Sequence, residues 1–148
     1  MSVQEAIKQA EAVLPGTAAP EGETDPRWQA VIAVAEFIEE EPEAVWSFVA
    51  RWGQHDDEDL RTAVATCALE HLLEHHFDRF ILRVEALAHS TNTFADTVLR
   101  CSKFGQSEEP SNAGRLDNLW QECRRRLDNK QMQLTRSAMA KRRRGPRS

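Results

Sequence analysis

Residues 70 to 78 read EHLLEHHFD, and within them His71-Leu72-Leu73-Glu74-His75 has the spacing H-x-x-E-H. Two imidazoles four residues apart on one helix can converge on a zinc ion, a carboxylate can activate a zinc-bound water, and a third ligand arrives from elsewhere. Glu108, Glu109 and Glu122 are available as third ligands, but no pattern singles one out. Glu74, His75 and the adjacent His76 are a second, weaker metal-binding combination. Other catalytic signatures are missing: no GxGxxG or GxxxxGK loop occurs, and Ser and Cys lie in no recognisable nucleophile motif. No cofactor is expected.

Charge is the second source of chemistry. From Arg124 to the end there are ten Lys or Arg and one acid, Asp128, a charge of +9. The preceding residues hold nine basic and 23 acidic residues, a charge of −14, so the net −5 conceals an acidic body with a basic tail. Lys141, Arg142, Arg143, Arg144 and Arg147 form a terminal run that can attract phosphate backbones by counterion release, without reading sequence. The same run can solubilise the end or fold onto the chain's own acidic body, and a basic amphipathic helix can also lie on a membrane surface. The acidic run His55-Asp56-Asp57-Glu58-Asp59 is expected to be a solvated, cap-bearing linker, with a patch for a basic partner as the alternative.

The elements that carry these residues are read from periodicity. Helix-spaced apolar residues recur throughout, with no alternating strand run and no hairpin dipeptide, so the chain is expected to be all-α. With 41% hydrophobic and 29% charged residues, 148 residues make one ordinary globular domain. No apolar run approaches a membrane span, and the N-terminus lacks the pattern of a secretory signal. Three cysteines without CxxC spacing fit a reducing compartment, with cytoplasm as the default. A first helix is expected from Val3 to Leu14, capped by Ser2 and stopped by Pro15-Gly16, with a loop to Thr24.

From Asp25 the chain resembles itself at a shift of 34 residues. Asp25, Asp59 and Thr93 coincide as N-caps. Ala30, Val64 and Val98 form an apolar column, and Ala33, Cys67 and Cys101 a column of small residues. Pro42 and Pro110 flank His76 in one slot, each preceded by acidic or histidine residues, and mark where a second helix begins. Phe48, Leu82 and Leu116 then align as core, and Trp52, Ala86 and Trp120 fall together one turn further on. Three helical hairpins are expected at about 25–56, 59–90 and 93–126. None buries its apolar face alone, and stacking them makes one core. The last second helix continues the pattern through Leu127, Gln131, Leu134 and Ala138, to about Ala140. Of the tryptophans Trp28, Trp46, Trp52 and Trp120, most are expected in the core.

DEDLRTAVATCALEHLLEHHFDRF, with Asp59-Leu60-Arg61 entering a helix of small apolar residues, resembles a HEAT-like repeat, and Asp25-Pro26-Arg27-Trp28 opens the preceding unit similarly. The W-x-x-L-G-x-x-Y signature of tetratricopeptide repeats, which share the period, is missing. The HEAT-like resemblance implies a short right-handed α-α superhelix, an armadillo-type fold, with second helices on the concave side presenting Arg51, Arg79, Arg83 and Arg115 to a protein partner. HEAT-like folds also include DNA glycosylases with a basic groove, but the acidic body here leaves only the tail for nucleic acid. His71-x-x-Glu74-His75 resembles the inverzincin signature, a family of larger α/β proteins. The repeat frame puts His71 on an apolar face and His75 and His76 at a helix end, so a bonded, part-buried histidine is expected there. The expectation is therefore a non-enzymatic binding module or scaffold with an extended basic C-terminal helix, not a zinc hydrolase.

Overall fold

The computed structural model describes residues 1–144, which form helices and connecting loops and no strand. Arg147, part of the terminal basic run, lies outside the described residues. Helix α1 (Val3–Val13) starts at Ser2, whose Oγ accepts the Glu5 N–H at 3.1 Å. Helices α2 (Pro26–Ala35) and α3 (Pro42–Trp52) form the first hairpin, each with a proline in its first turn, where the missing N–H has no helical partner to lose. Helix α4 (Glu58–Val64) runs through a π turn (Ala65–Leu69) into α5 (Glu70–Ser90). Helix α6 (Asn92–Leu99), a 3₁₀ turn (Gly105–Glu108) and α7 (Pro110–Arg144) complete the chain.

The second hairpin is hidden inside what looks like one long helix. At His76 the backbone leaves the helical region (φ −140°, ψ 46°), so α5 is two helices meeting at a corner. No proline enforces this break. The backbone groups that the corner frees are taken up by one side chain from the third unit. Gln106 Oε1 accepts the Phe77 N–H at 2.9 Å, and Gln106 Nε2 donates to the His75 carbonyl at 2.8 Å. Gly105 brings Gln106 there at φ +51°, and a Cβ on it would stand 2.7 Å from Glu74 Cγ, so both conformation and space call for glycine. From the first unit, the Ile38 carbonyl receives His76 Nε2–H at 3.1 Å.

Three hairpins thus recur, in two layers. Helix α1, α3, the second half of α5 and α7 pack side by side in sequence, and α2, α4 with the π turn, and α6 form the other layer. One core of buried residues joins the units. The stack is not purely linear, because Phe94 of α6 meets Trp46 of α3 edge-on at 6.1 Å and Thr97 Oγ1 donates to the Gly53 carbonyl at 2.5 Å. The third unit therefore touches the first, whereas an idealised solenoid unit touches only its neighbours.

The repeat frame needs three corrections. Asp59 and Thr93 do not cap their helices. Asp57 does, accepting from Asp59 and Leu60 N–H at 2.9 and 3.2 Å, and Thr91 accepts from Phe94 N–H at 3.2 Å. Leu82 is not core but 68% exposed. The helix break falls at Glu41 in the first unit and at His76 in the second, one residue later than a 34-residue shift requires, and one residue turns a helix by about 100°. Counted from the break, Pro42, Val45, Trp46 and Val49 correspond to Phe77, Phe80, Ile81 and Val84, all buried, and Leu82 corresponds to the exposed Ser47. Finally, α7 does not stop near Ala140 but continues through Lys141, Arg142, Arg143 and Arg144.

The acidic run before α4 is neither simply solvated nor free for a partner. Asp57 and Asp59 hold Arg27 of α2 at 2.9 and 3.0 Å, and Asp59 also accepts from Trp28 Nε1–H at 3.0 Å. Arg27 is 2% exposed, with Asp25 at 3.7 Å and the Gly16 carbonyl at 3.3 Å, so it ties the entry loop and the first two units together.

Candidate protein-binding face

The four arginines singled out by the sequence all lie on the layer of second helices, half-exposed, and none is free. Arg51 of α3 donates to Glu11 of α1 at 2.9 Å. Arg79 and Arg83 of α5 both bond Glu43 of α3, Arg79 at 3.0 Å and Arg83 through a two-bond clasp at 2.7 and 2.8 Å. Arg115 of α7 clasps Glu85 of α5 at 2.7 and 3.0 Å. Each pair spans adjacent helices of the same layer, forming a ladder across the stack. The hydrogen bond from Arg83, with that from Arg79, holds the Glu43 carboxyl down to about 2, and Glu43 in turn raises Arg83. Fork-shaped guanidinium pairs of this type are more directional than lysine contacts, and they fix the spacing of neighbouring helices.

Between α3 and α5 the ladder borders an open groove of about 330 Å3, lined by Trp46, Ala50, Arg83, Ala86, Leu87 and Ser90. Leu82 and Ala86 are both exposed and lie one turn apart on α5. The guanidinium of Arg83 rests 4.7 Å from the centre of the Phe80 ring. An aromatic floor, small residues and an exposed leucine edged by arginines make a surface that can bury an apolar side chain and hydrogen-bond a carbonyl or carboxylate beside it. The sequence points to the arginines but not to this groove, because the 34-residue frame puts Leu82 in the core and gives Trp46 no definite place. The helical spacing of Arg79, Leu82, Arg83 and Ala86, one stripe of α5, was the available signal.

The histidine motif occupies the other side of the corner. His71 Nδ1–H donates to Glu74 at 2.7 Å, His75 Nε2 lies 3.5 Å from the same oxygen, and Glu39 and Glu70 flank the two rings at 3.7 Å. His71 also stacks on Phe104 at 5.8 Å. Zinc hydrolysis requires both imidazoles to face the ion and the glutamate to be left for water. Here Glu74 sits between the imidazoles and is already hydrogen-bonded to His71, while His76 is turned toward Ile38. Among the described residues no three His, Cys, Asp or Glu side chains are grouped to hold a metal ion. The residues do not fit a catalytic zinc. Cys67 and Cys101 pack at the margin of the core, where burial pushes both thiols up and away from the reactive thiolate.

The basic residues from Lys130 to Arg144 stand clear of the body. Cys123 is the last buried side chain of α7, and Arg126 fastens this end to the Ala88 carbonyl and to Asn92 Oδ1 at 3.2 Å. From Asp128 to Arg144 every residue is exposed, Arg136, Lys141, Arg142, Arg143 and Arg144 among them. No helix among the described residues is long and apolar enough to cross a membrane.

Residues 17–122 match a family of unknown function, DUF6869, over well more than half of the chain. The chain belongs to that family. The DUF6869 span takes in the first two hairpins, most of the third, the groove and every ladder residue except Glu11, and it ends one residue before the last buried side chain of α7. Helix α1 and the projecting part of α7 lie outside the DUF6869 match. No curated protein and no solved structure matches the chain.

Proposed function

We propose that this DUF6869 member is a non-enzymatic, HEAT-like interaction module that binds a protein partner through the layer formed by α1, α3, the second half of α5 and α7. The observation that carries this reading is the groove of Trp46, Ala50, Ala86 and Leu87 beside the exposed Leu82. Interfaces gain most of their energy where an aromatic or aliphatic anchor is fully desolvated and its rim is polar, and the arginine ladder supplies such a rim. Arg79 and Arg83 act as the fixed edge of the site, since both are committed to Glu43.

Reversing the charge of those arginines would crowd three carboxylates together and confuse binding with folding. Leu82→Glu with Ala86→Glu is the cleaner perturbation, because both side chains already face solvent and surface changes move stability by about 0.5 kcal/mol or less. The full chain immobilised in native lysate is expected to retain a specific protein that the double variant loses at unchanged melting temperature. Equal retention by both proteins would place binding elsewhere.

A further inference from the structure

Helix α7 outruns the body it belongs to. Residues 128–144 extend about 25 Å past the last packed turn at 1.5 Å per residue. Their core-side stripe continues through Leu134 and Ala138, and Leu134, Met132 and Met139 are each more than half exposed. An isolated polar helix of this length is marginal in water, so this segment gains most from a covering surface. That surface cannot be its own body. The helix is continuous from Pro110 to Arg144, with no glycine or proline after Gly114, and carries the segment outward.

We propose that the projecting segment docks on the acidic face of a second copy of this chain. Charge complementarity identifies the occupant: residues 128–144 hold six Lys or Arg and one acid, a charge of +5, and residues 1–127 carry −11. Pairing two tails with each other would oppose like charges. The acidic face that also offers apolar surface is α2 and the turn after it. Glu36, Glu40 and Glu41 are exposed there, each without an ion pair among the described residues, beside the 39% exposed Ile32. Next to them opens a cleft of about 260 Å3, lined by Ala35, Ile38, Glu36, Glu39 and Cys67 with His71 and His75 at its edge. A hollow that sets Ala35, Ile38 and Cys67 among carboxylates and histidines matches a helix that presents Leu134 and Ala138 between Lys130, Lys141 and Arg142. Nucleic acid would satisfy the charges but leave the leucine stripe uncovered, which is why a protein surface is favoured. Two copies exchanging tails give a closed two-fold pair.

Light scattering on the eluting full-length protein tests this. At about 50 mM salt the mass is expected near twice the 16.8 kDa of one chain, and at about 500 mM, where screening is nearly complete, near one chain. A tail variant (Lys141→Glu, Arg142→Glu, Arg143→Glu) and an acceptor variant (Glu36→Lys, Glu40→Lys, Glu41→Lys) should each be monomeric at low salt. Mixing the two should restore a dimer, because the reversed tail then meets a reversed acceptor. A monomer at low salt up to about 200 μM overturns the proposal, as does a dimer that both variants retain. Tail-dependent binding of a 20-base-pair duplex by a protein that stays monomeric would overturn it too and assign the tail to nucleic acid. None of these substitutions touches Leu82 or Ala86, so the outcome is separate from that of the groove.

Discussion

Replacing Gln106 by alanine removes both hydrogen bonds that complete the corner in α5. The Phe77 N–H it leaves behind belongs to a residue only 1% exposed, and an unpaired buried donor costs about 1–3 kcal/mol. The His75 carbonyl lies toward solvent, where water can replace the lost donor at about 0.5–1 kcal/mol. Together the loss is about 2–3 kcal/mol. For a chain of this length each kcal/mol lowers Tm by about 2–4 °C, so a fall of roughly 5–10 °C is expected in a thermal melt followed by circular dichroism. Gln106→Glu keeps an acceptor for Phe77 and loses only the donor, so its fall should be about half as large or less. Native-state hydrogen exchange supplies the local readout, with the Phe77 amide losing protection before the amides of α3. A melt within 1 °C of wild type, together with unchanged Phe77 exchange, would refute the idea that this amide completes the corner, and would leave the work to packing around Phe77 and Phe80.

Two further outcomes follow from the ion pairs and the histidines. Arg27→Met should lower stability by about 2 kcal/mol at neutral pH, below the usual cost of breaking a buried pair because Asp57 and Asp59 can rehydrate. The hydrogen bond from Arg27 is the largest influence lowering the Asp57 carboxyl, so its contribution is present above the ordinary carboxylate value and disappears as pH falls through the folded value below it. The variant should therefore lose less stability than wild type on acidification below about pH 4, measured by urea titration, and parallel acid profiles would contradict this role for Arg27. Protein equilibrated with zinc and dialysed should carry far less than one ion per chain, because His71 is hydrogen-bonded to Glu74 and His76 to the Ile38 carbonyl. Stoichiometric zinc that disappears in His75→Ala would revive the hydrolase reading.

Much of this architecture was legible before any coordinates. Periodicity identified an all-helical chain, Ser2 and Asp25 were recognised as caps, and Pro42 and Pro110 marked where second helices begin, because these signals act within a turn or two of the chain. The self-similarity at 34 residues also put a helix end at His75 and His76, within one residue of the corner, although nothing local compels a break there. What the sequence alone determined was therefore the inventory of helices, the acidic body and the basic end, all properties of composition and short-range spacing. The tertiary structure decided everything that depends on one residue of rotation or on partners far along the chain. It moved the caps to Asp57 and Thr91, turned Leu82 outward, committed Arg79 and Arg83 to Glu43, set Glu74 between two histidines, and brought Gln106 across 29 positions to Phe77 to close the corner. A helix turns about 100° per residue, so an offset too small to disturb a repeat alignment is enough to exchange core for surface.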